Sequence, residues 1–390
     1  MSKIFCIFAA EIGIVSVYLN DDGMKIKRLS FKNNKTGWSV QNVDFGALTL
    51  FVGASGVGKT QILRALLRLS RIAKGVSFNG MEWEVEFTQN VHSYLWSGAF
   101  ETADMDDEIY LSREILYDIL WEQLKVDDEL ILDRKNDHTV YKNQETVKFD
   151  TQKSAINILR QEESIRPIFE AFDRLYYLDT EVNYIDLSPV VQDQSKPMTI
   201  DEIRRLSPTI PAVAKLFLMR KNNIPEYTAI SEAFCEIFPS IEKVDFTTGR
   251  LFDERTYPIL QIKERGTDAW ILRSDISAGM YRTLMMLVTL YLAEDGDVIL
   301  VDEFENGLGV NCINQLAEMF INPEMNVQIV MTSHHPYIIN TIPYQAWKVV
   351  TRNGNQVQIR TAAELNIGEH SKHEAFMQLI QTSAYQKGTL

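Results

Sequence analysis

Short apolar runs alternate along the chain with segments in which apolar residues recur at helical spacing. The run Val298–Val301 has three β-branched residues and no charge, which suits a central parallel strand covered on both faces. Leu48–Val52 and Gln328–Thr332 have the same character. Residues 61–69 and 283–292 carry helical apolar patterns. The pattern predicts an α/β fold around buried strands.

A glycine-rich loop lies between the strand Leu48–Val52 and the helical pattern that follows it. Residues 53–60 fit G-x-x-x-x-G-K-[ST] with no mismatch, and strand, loop and helix form the setting that this motif needs. Backbone N–H groups and the helix N-terminus would hold phosphates there, although a chance glycine turn is the alternative. We expect Lys59 to reach the β- and γ-phosphates and Thr60 to bind Mg²⁺. The predicted ATP-binding residues are Gly53, Ala54, Ser55, Gly56, Val57, Gly58, Lys59 and Thr60.

An acidic pair follows the apolar run Val298–Val301. Asp302 and Glu303 would lie at the carboxyl end of a parallel strand, where open α/β sheets place their ligand crevice. We expect Asp302 to hold Mg²⁺ through water and Glu303 to polarise the water that attacks the γ-phosphate. A solvated acidic strand end is the alternative interpretation.

A histidine follows the next predicted strand. His334 comes directly after Gln328–Thr332 and Ser333, so it would face the γ-phosphate and sense its loss. Without the acidic pair upstream, a partly exposed turn histidine before Pro336 would be the better interpretation. His335 is the weaker candidate of the two.

A fourth motif begins at Ser277 and, with the other three, resembles the motifs of a known family. Ser277 can cap the helix that follows it, which is a sufficient structural role. Ser277, Gly279 and Arg282 also match the Ser-x-Gly-x-x-[Gln/Arg] signature, and the whole set of motifs resembles the ABC-type ATPases. The resemblance implies a head-to-tail dimer in which Ser277 and Gly279 of one subunit close over the ATP of the other.

Within that class the chain resembles the soluble branch that includes RecF, SMC-type and OLD-family proteins. Residues 302–308 read Asp-Glu-Phe-Glu-Asn-Gly-Leu, and residues 332–336 read Thr-Ser-His-His-Pro. The implied fold is an α/β P-loop NTPase, an ABC-type ATPase head with a mixed sheet and a helical/β insertion between the glycine loop and the signature. Ser55 and Gly309 depart from the common pattern. Gln89 is a candidate for the lobe-joining glutamine, but a hairpin turn at residues 89–90 is favoured.

The predicted organisation has four parts. Residues 1–23 form an N-terminal extension, 24–100 the ATP-binding lobe, 101–243 the insertion, and 244–390 the half with the signature, acidic pair and histidine. Short strands are expected near residues 130–133, 139–141 and 147–149 within the insertion. Residues 175–178 are expected to return to the main sheet.

Composition narrows the function further. The 390 residues carry a net charge of −14, which opposes nucleic-acid binding by bulk electrostatics. Arg64, Arg68 and Arg71 share one helix face and offer a local basic patch, with a solvated face as the favoured interpretation. Three distant cysteines and an N-terminal apolar segment too broken for a membrane span suit the cytoplasm.

The sequence thus predicts an ATPase that uses ATP and Mg²⁺, pairs with itself and controls a partner. Lone ATPases of this branch resemble the ATPase subunits of two-gene bacterial anti-phage systems such as Septu and PARIS, whose partner is a nuclease-like effector. The alternatives are a RecF-like DNA-repair ATPase, a transporter subunit and a nucleotide-gated scaffold without hydrolysis.

Overall fold

The computed structural model describes residues 23–103, 116–135, 138–178, 197–207, 210–250, 256–323, 326–368 and 371–389. The expected extension over residues 1–23 lies outside them except for Gly23. The described strands are β1 Met24–Asn33, β2 Ser39–Asp44, β3 Leu48–Val52, β4 Met81–Gln89, β5 His92–Phe100, β6 Ile119–Val126, β7 Glu129–Lys135, β8 His138–Tyr141, β9 Gln144–Glu145, β10 Leu175–Leu178, β11 Ile241–Arg250, β12 Thr256–Glu264, β13 Trp270–Leu272, β14 Val298–Val301, β15 Gln328–Thr332, β16 Trp347–Asn353 and β17 Gln356–Thr361. The described helices are α1 Lys59–Ala73, α2 Ala155–Ile158, α3 Arg166–Asp173, α4 Ile200–Arg204, α5 Ala212–Lys221, α6 Pro225–Ile237, α7 Ala278–Leu292, α8 Val310–Ile321, α9 Pro336–Thr341, α10 Lys372–Gln381 and α11 Ser383–Lys387.

One mixed sheet organises most of these strands. Its order over the described residues is β10-β14-β15-β3-β16-β17-β2-β1-β4-β5-β6-β7-β8-β9. The five strands from β10 to β16 are parallel, whereas β16–β17 and the ladder from β2 to β9 are antiparallel. The fold is therefore a mixed α/β architecture, as the apolar pattern predicts.

The predicted central strand is confirmed as β14, between β10 and β15. All four of its side chains are buried. Ile299 and Val301 join the apolar core with α6, α7 and α8, while Val298 and Leu300 join the core with α1 and α3. Because side chains of a strand alternate between its two faces, a strand covered by helices on both sides is apolar throughout.

The antiparallel part of the sheet passes residue 100 and includes β6 to β9, which lie between residues 119 and 145. Strands expected near residues 130–133 and 139–141 are present as β7 and β8. The expected strand over residues 147–149 is wrong, because this segment is described without strand structure. The buried Glu122 side chain accepts hydrogen bonds from Trp96 Nε1, at 3.0 Å, and from the backbone of Ala155, which ties this sheet to α2.

Two hairpin turns join neighbouring strands of the main sheet. Gln89 pairs with His92 across the β4–β5 hairpin, and Asn90 has a left-handed backbone, so the hairpin interpretation of Gln89 holds. Asn353 and Gln356 likewise close the β16–β17 hairpin.

A smaller sheet, β11-β12-β13, leads into the signature residues and α7. Leu260 and Ile262 of β12 share their core with α5, α6 and α7. This packing fixes the start of α7 beside the main sheet. Within the described residues, every helix is too short or too polar to cross a membrane.

Candidate functional site

The glycine loop joins β3 to α1 through backbone conformations that only glycine adopts readily. Gly53 has φ +142°, and a Cβ there would lie 2.5 Å from the carbonyl oxygen of Val350. Gly58 has φ +108° and stands directly before the first residue of α1. These glycines let the chain turn tightly enough for its N–H groups to surround an anion. Within the loop, Ser55 and Gly56 are exposed. Val57 is buried and lies close to Gly388, the residue that follows α11.

Lys59 is the buried cation of the loop, with 6% of its surface exposed. Its Nζ donates to the carbonyl oxygens of Gly53 and Ala54, each at 2.9 Å. Burial lowers the pKa of Lys59 to about 8, although the carboxylates of Asp302, Glu303 and Glu305 oppose that shift. A desolvated ammonium in this position is ready to exchange backbone carbonyls for phosphate oxygens.

The acidic pair lies beside the start of α1. Asp302 Oδ1 accepts hydrogen bonds from Thr60 Oγ1 at 3.1 Å and from Thr332 Oγ1 at 2.7 Å. The hydroxyl of Tyr177 donates to Asp302 Oδ2 at 3.3 Å. Carboxylate and hydroxyl oxygens are the donors that Mg²⁺ prefers, with phosphate and water completing its shell. The residues present therefore fit a magnesium ion bound together with a nucleotide.

Glu303 has a strained backbone. Its φ of +44° is left-handed, which is uncommon for a residue other than glycine, asparagine or aspartate. Its N–H donates to Thr332 Oγ1 at 2.7 Å, and Arg282 Nη2 donates to its carbonyl oxygen at 2.8 Å. The same Arg282 nitrogen donates to the carbonyl oxygen of Asp302 at 2.9 Å. Strain that the surroundings hold in this way is typical of functional sites, and it leaves the Glu303 side chain exposed.

His334 follows β15, and its backbone N–H donates to Glu305 Oε1 at 2.6 Å. Burial and the positive charge of Lys59 hold the pKa of His334 below its ordinary value, so the imidazole is neutral near pH 7. Glu305 Oε2 is buried and has no hydrogen-bond partner among the described residues. The histidine and Glu305 thus form a second polar layer beside Lys59.

The signature residues lie at the start of α7. Ser277 is exposed, and its Oγ accepts a hydrogen bond from the N–H of Met280, which confirms the predicted helix cap. A Cβ on Gly279 would lie 2.3 Å from the carbonyl oxygen of Gly307, so the backbone here packs against the loop after the acidic pair. In the described structure Ser277 is hydrogen-bonded within its own helical turn and not to the glycine loop.

Three residues that contact the acidic pair or His334 are not among the predicted site residues. Thr332 bridges Asp302 and Glu303, Tyr177 contacts Asp302 from β10, and Glu305 holds the backbone of His334. The position of Thr332 at the end of a strand, two residues before His334, is the sequence feature that points to it. Nothing in the sequence pairs Tyr177 with Asp302, because the contact depends on β10 lying beside β14.

The fold and the site define a P-loop ATPase. Residues 48–340 match the family described as "AAA domain, putative AbiEii toxin, Type IV TA system", and the chain belongs to this family. No curated protein matches the chain.

Solved structures similar to this chain include three SMC heads. The Smc head bound to the C-winged helix domain of ScpA has a TM-score of 0.44 and 13% identity, covering 86% of this chain and 97% of its own. The Smc head with an extended coiled coil, bound to the C-terminal domain of ScpA from Pyrococcus furiosus, has a TM-score of 0.43 and 12% identity over 87% and 97% of the two chains. The SMC head from Thermotoga maritima has a TM-score of 0.39 and 12% identity over 86% and 98%.

Proposed function

We propose that this protein hydrolyses ATP at a site completed by a second copy of the chain and thereby controls a partner effector. The observation that carries the proposal is the array in which Thr60, Asp302 and Thr332 are hydrogen-bonded beside the buried Lys59. Thr332 ends β15 and Asp302 follows β14, while Lys59 and Thr60 begin α1, which the glycine loop joins to the neighbouring parallel strand β3. Open parallel sheets bind their ligands at this edge.

Hydrolysis follows from the roles of these side chains. Lys59 and the loop N–H groups hold the β- and γ-phosphates, and Glu303 accepts a proton from the attacking water. The water oxygen bonds to the γ-phosphorus, the bond to the bridging oxygen breaks, and ADP leaves with that electron pair. His334, neutral near pH 7, donates a hydrogen bond to the γ-phosphate. Thr60 and Asp302 would hold magnesium, which would neutralise charge on the phosphate oxygens.

The second copy is inferred from the signature residues. Ser277 is exposed at the start of α7, where the helix N-terminus favours an anion. We place Ser277 and Gly279 over the ATP of the partner copy, which gives a dimer with two composite sites.

A complementation experiment tests this arrangement. Lys59→Ala removes nucleotide binding from its own chain, and Ser277→Asp keeps a helix cap but places a negative charge against the partner's ATP. Each variant alone should be inactive. A one-to-one mixture should regain about a quarter of wild-type turnover, because half of the dimers are mixed and each has one intact site.

If both variants fold and dimerise but their mixture regains no turnover, the proposed composite site is refuted. A Lys59→Ala mixture with Lys59→Arg is the matched control. Both of its members carry an altered glycine loop, so it should regain no more turnover than Lys59→Arg shows alone.

We further propose that the partner is a nuclease-like effector in bacterial anti-phage defence. The description of the matched family refers to a type IV TA system, and toxin–antitoxin systems have two components. The described residues contain no group of three or more His, Cys, Asp or Glu side chains placed to hold a metal. As part of this proposal we assign the nuclease centre to another chain.

Purification with ATP and Mg²⁺ tests the effector. The mass of the wild-type complex is measured beside Glu303→Gln, which should keep ATP bound, and co-purifying proteins are identified. We expect an even-numbered oligomer carrying a second protein with nuclease activity. A complex without a second protein, from cells that express the neighbouring genes, would overturn the effector role and leave the ATPase in place.

A further inference from the structure

A cavity of about 500 Å³ lies beside the proposed hydrolysis site, between α1 and the loop after β14. One end of it is formed by Thr60, Asp302 and Glu303. Arg64, Arg68 and Arg71 extend from α1 and line it further along, together with Leu67, Tyr177, Leu178 and Asn306. The spacing that places the three arginines on one helix face thus brings them to the wall of one cavity that is open to solvent.

The three arginines have no ion-pair partner among the described residues. Within the part of the chain that the structure describes, no carboxylate forms an ion pair with Arg64, Arg68 or Arg71. Burial first, and then the charges of Arg64 and Arg71, lower the pKa of Arg68. Three guanidinium groups that repel one another around a cavity are a site for an anion with several oxygen acceptors.

The cavity has opposite charges at its two ends. A phosphate dianion formed next to Asp302 and Glu303 is repelled by their carboxylates and attracted by the arginines further along α1. A free anion formed inside the protein does not have to approach a chain with a net charge of −14 from solvent. A nucleic-acid backbone would have to do so.

We propose that this arginine-lined cavity binds the orthophosphate released from ATP and forms its way out of the site. The inference rests on the proposed ATP hydrolysis. The arginine face of α1 would then bind a product of the reaction. This role differs from the two alternatives considered for that face, a solvated helix surface and a DNA-binding patch.

Binding of radiolabelled orthophosphate, measured by equilibrium dialysis with ADP and Mg²⁺ present, tests the site without requiring turnover. Arg64→Gln and Arg71→Gln are suitable variants because both side chains are exposed and the helix should fold without them. Each should weaken orthophosphate binding by roughly ten- to hundredfold, since each removes a charge-assisted hydrogen bond to the anion. Inhibition of ATP turnover by added orthophosphate should weaken in parallel.

Arg166→Gln is the matched control, because Arg166 on α3 is also exposed but lies outside the cavity lining. It should bind orthophosphate as the wild type does. Wild-type affinity in Arg64→Gln and Arg71→Gln, in protein that turns over ATP, would overturn the phosphate site and leave the proposed function intact. Orthophosphate binding through the arginines in a wild-type protein without ATP turnover would overturn the product role together with the proposed function.

Competition with duplex DNA completes the orthophosphate binding experiment. DNA that displaces orthophosphate in a salt-dependent way, with an affinity lost in the same two variants, would overturn the product site in favour of a nucleic-acid backbone site. No displacement by DNA, with weakened orthophosphate binding in both variants, supports the proposal.

Discussion

Nucleotide binding should take up a proton through Lys59. Burial moves the pKa of this side chain from its ordinary value of 10.5 to about 8. Each tenfold change in proton affinity corresponds to about 1.4 kcal/mol, so holding the charge costs about 3 kcal/mol that the carbonyls of Gly53 and Ala54 do not recover. Phosphate oxygens next to the ammonium favour the charged form and raise its pKa again.

The direction of the pH dependence follows. Below pH 8 Lys59 is already protonated and binding needs no proton. Above pH 8 the free protein has lost that proton, and binding must restore it from solvent. The affinity for ADP should therefore fall about tenfold between pH 7 and pH 9, approaching tenfold for each further pH unit.

Calorimetric titration with ADP avoids hydrolysis during the measurement. Run at pH 9 in two buffers of different ionisation enthalpy, it should report uptake of nearly one proton. Lys59→Arg is the matched control, because a guanidinium stays protonated throughout this range and its binding should show no such uptake. A flat affinity between pH 7 and pH 9, with no proton uptake, would refute the argument that Lys59 is the desolvated contact to phosphate.

Three further substitutions test the support of the acidic pair. Thr332→Val removes the hydroxyl shared by Asp302 and the following N–H, and should cost about 1–3 kcal/mol in denaturant unfolding because a polar group loses its partner. Turnover should fall with it, so unchanged kcat would contradict the bridging role. Gly279→Ala places a methyl group 2.3 Å from the Gly307 carbonyl, and overpacking of about 1–3 kcal/mol should appear as a lower unfolding midpoint. Arg282→Gln shortens the donor that holds both carbonyls of the acidic pair, and should lower kcat while leaving the affinity for ADP unchanged.

Local sequence rules are sufficient to predict the buried strands and the loops that follow them. β14 is apolar on both faces because helices cover both sides of the sheet, and the glycine spacing of residues 53–60 has few solutions other than an anion loop. The hairpin at Gln89 is likewise determined by its turn residues. The conformations of these segments could therefore be predicted without coordinates.

Contacts between distant segments could not be predicted in this way. Tyr177 contacts Asp302 only because β10 pairs with β14, and no local rule determines which strand lies at that edge. The expected strand over residues 147–149 fails for a related reason, since alternating polarity describes a strand only where a partner strand is available.

The position of Arg282 connects the two proposed composite sites of a dimer. It belongs to α7, whose first turn carries Ser277 and Gly279, yet it donates to the carbonyls of Asp302 and Glu303. A displacement of α7 therefore acts directly on the strained backbone of Glu303. If Ser277 contacts ATP on the partner copy, the same helix would transmit that contact to Glu303, the proposed base for the attacking water in its own chain. The two ATP molecules of a dimer would then be coupled through the Arg282 hydrogen bonds to the carbonyls of Asp302 and Glu303.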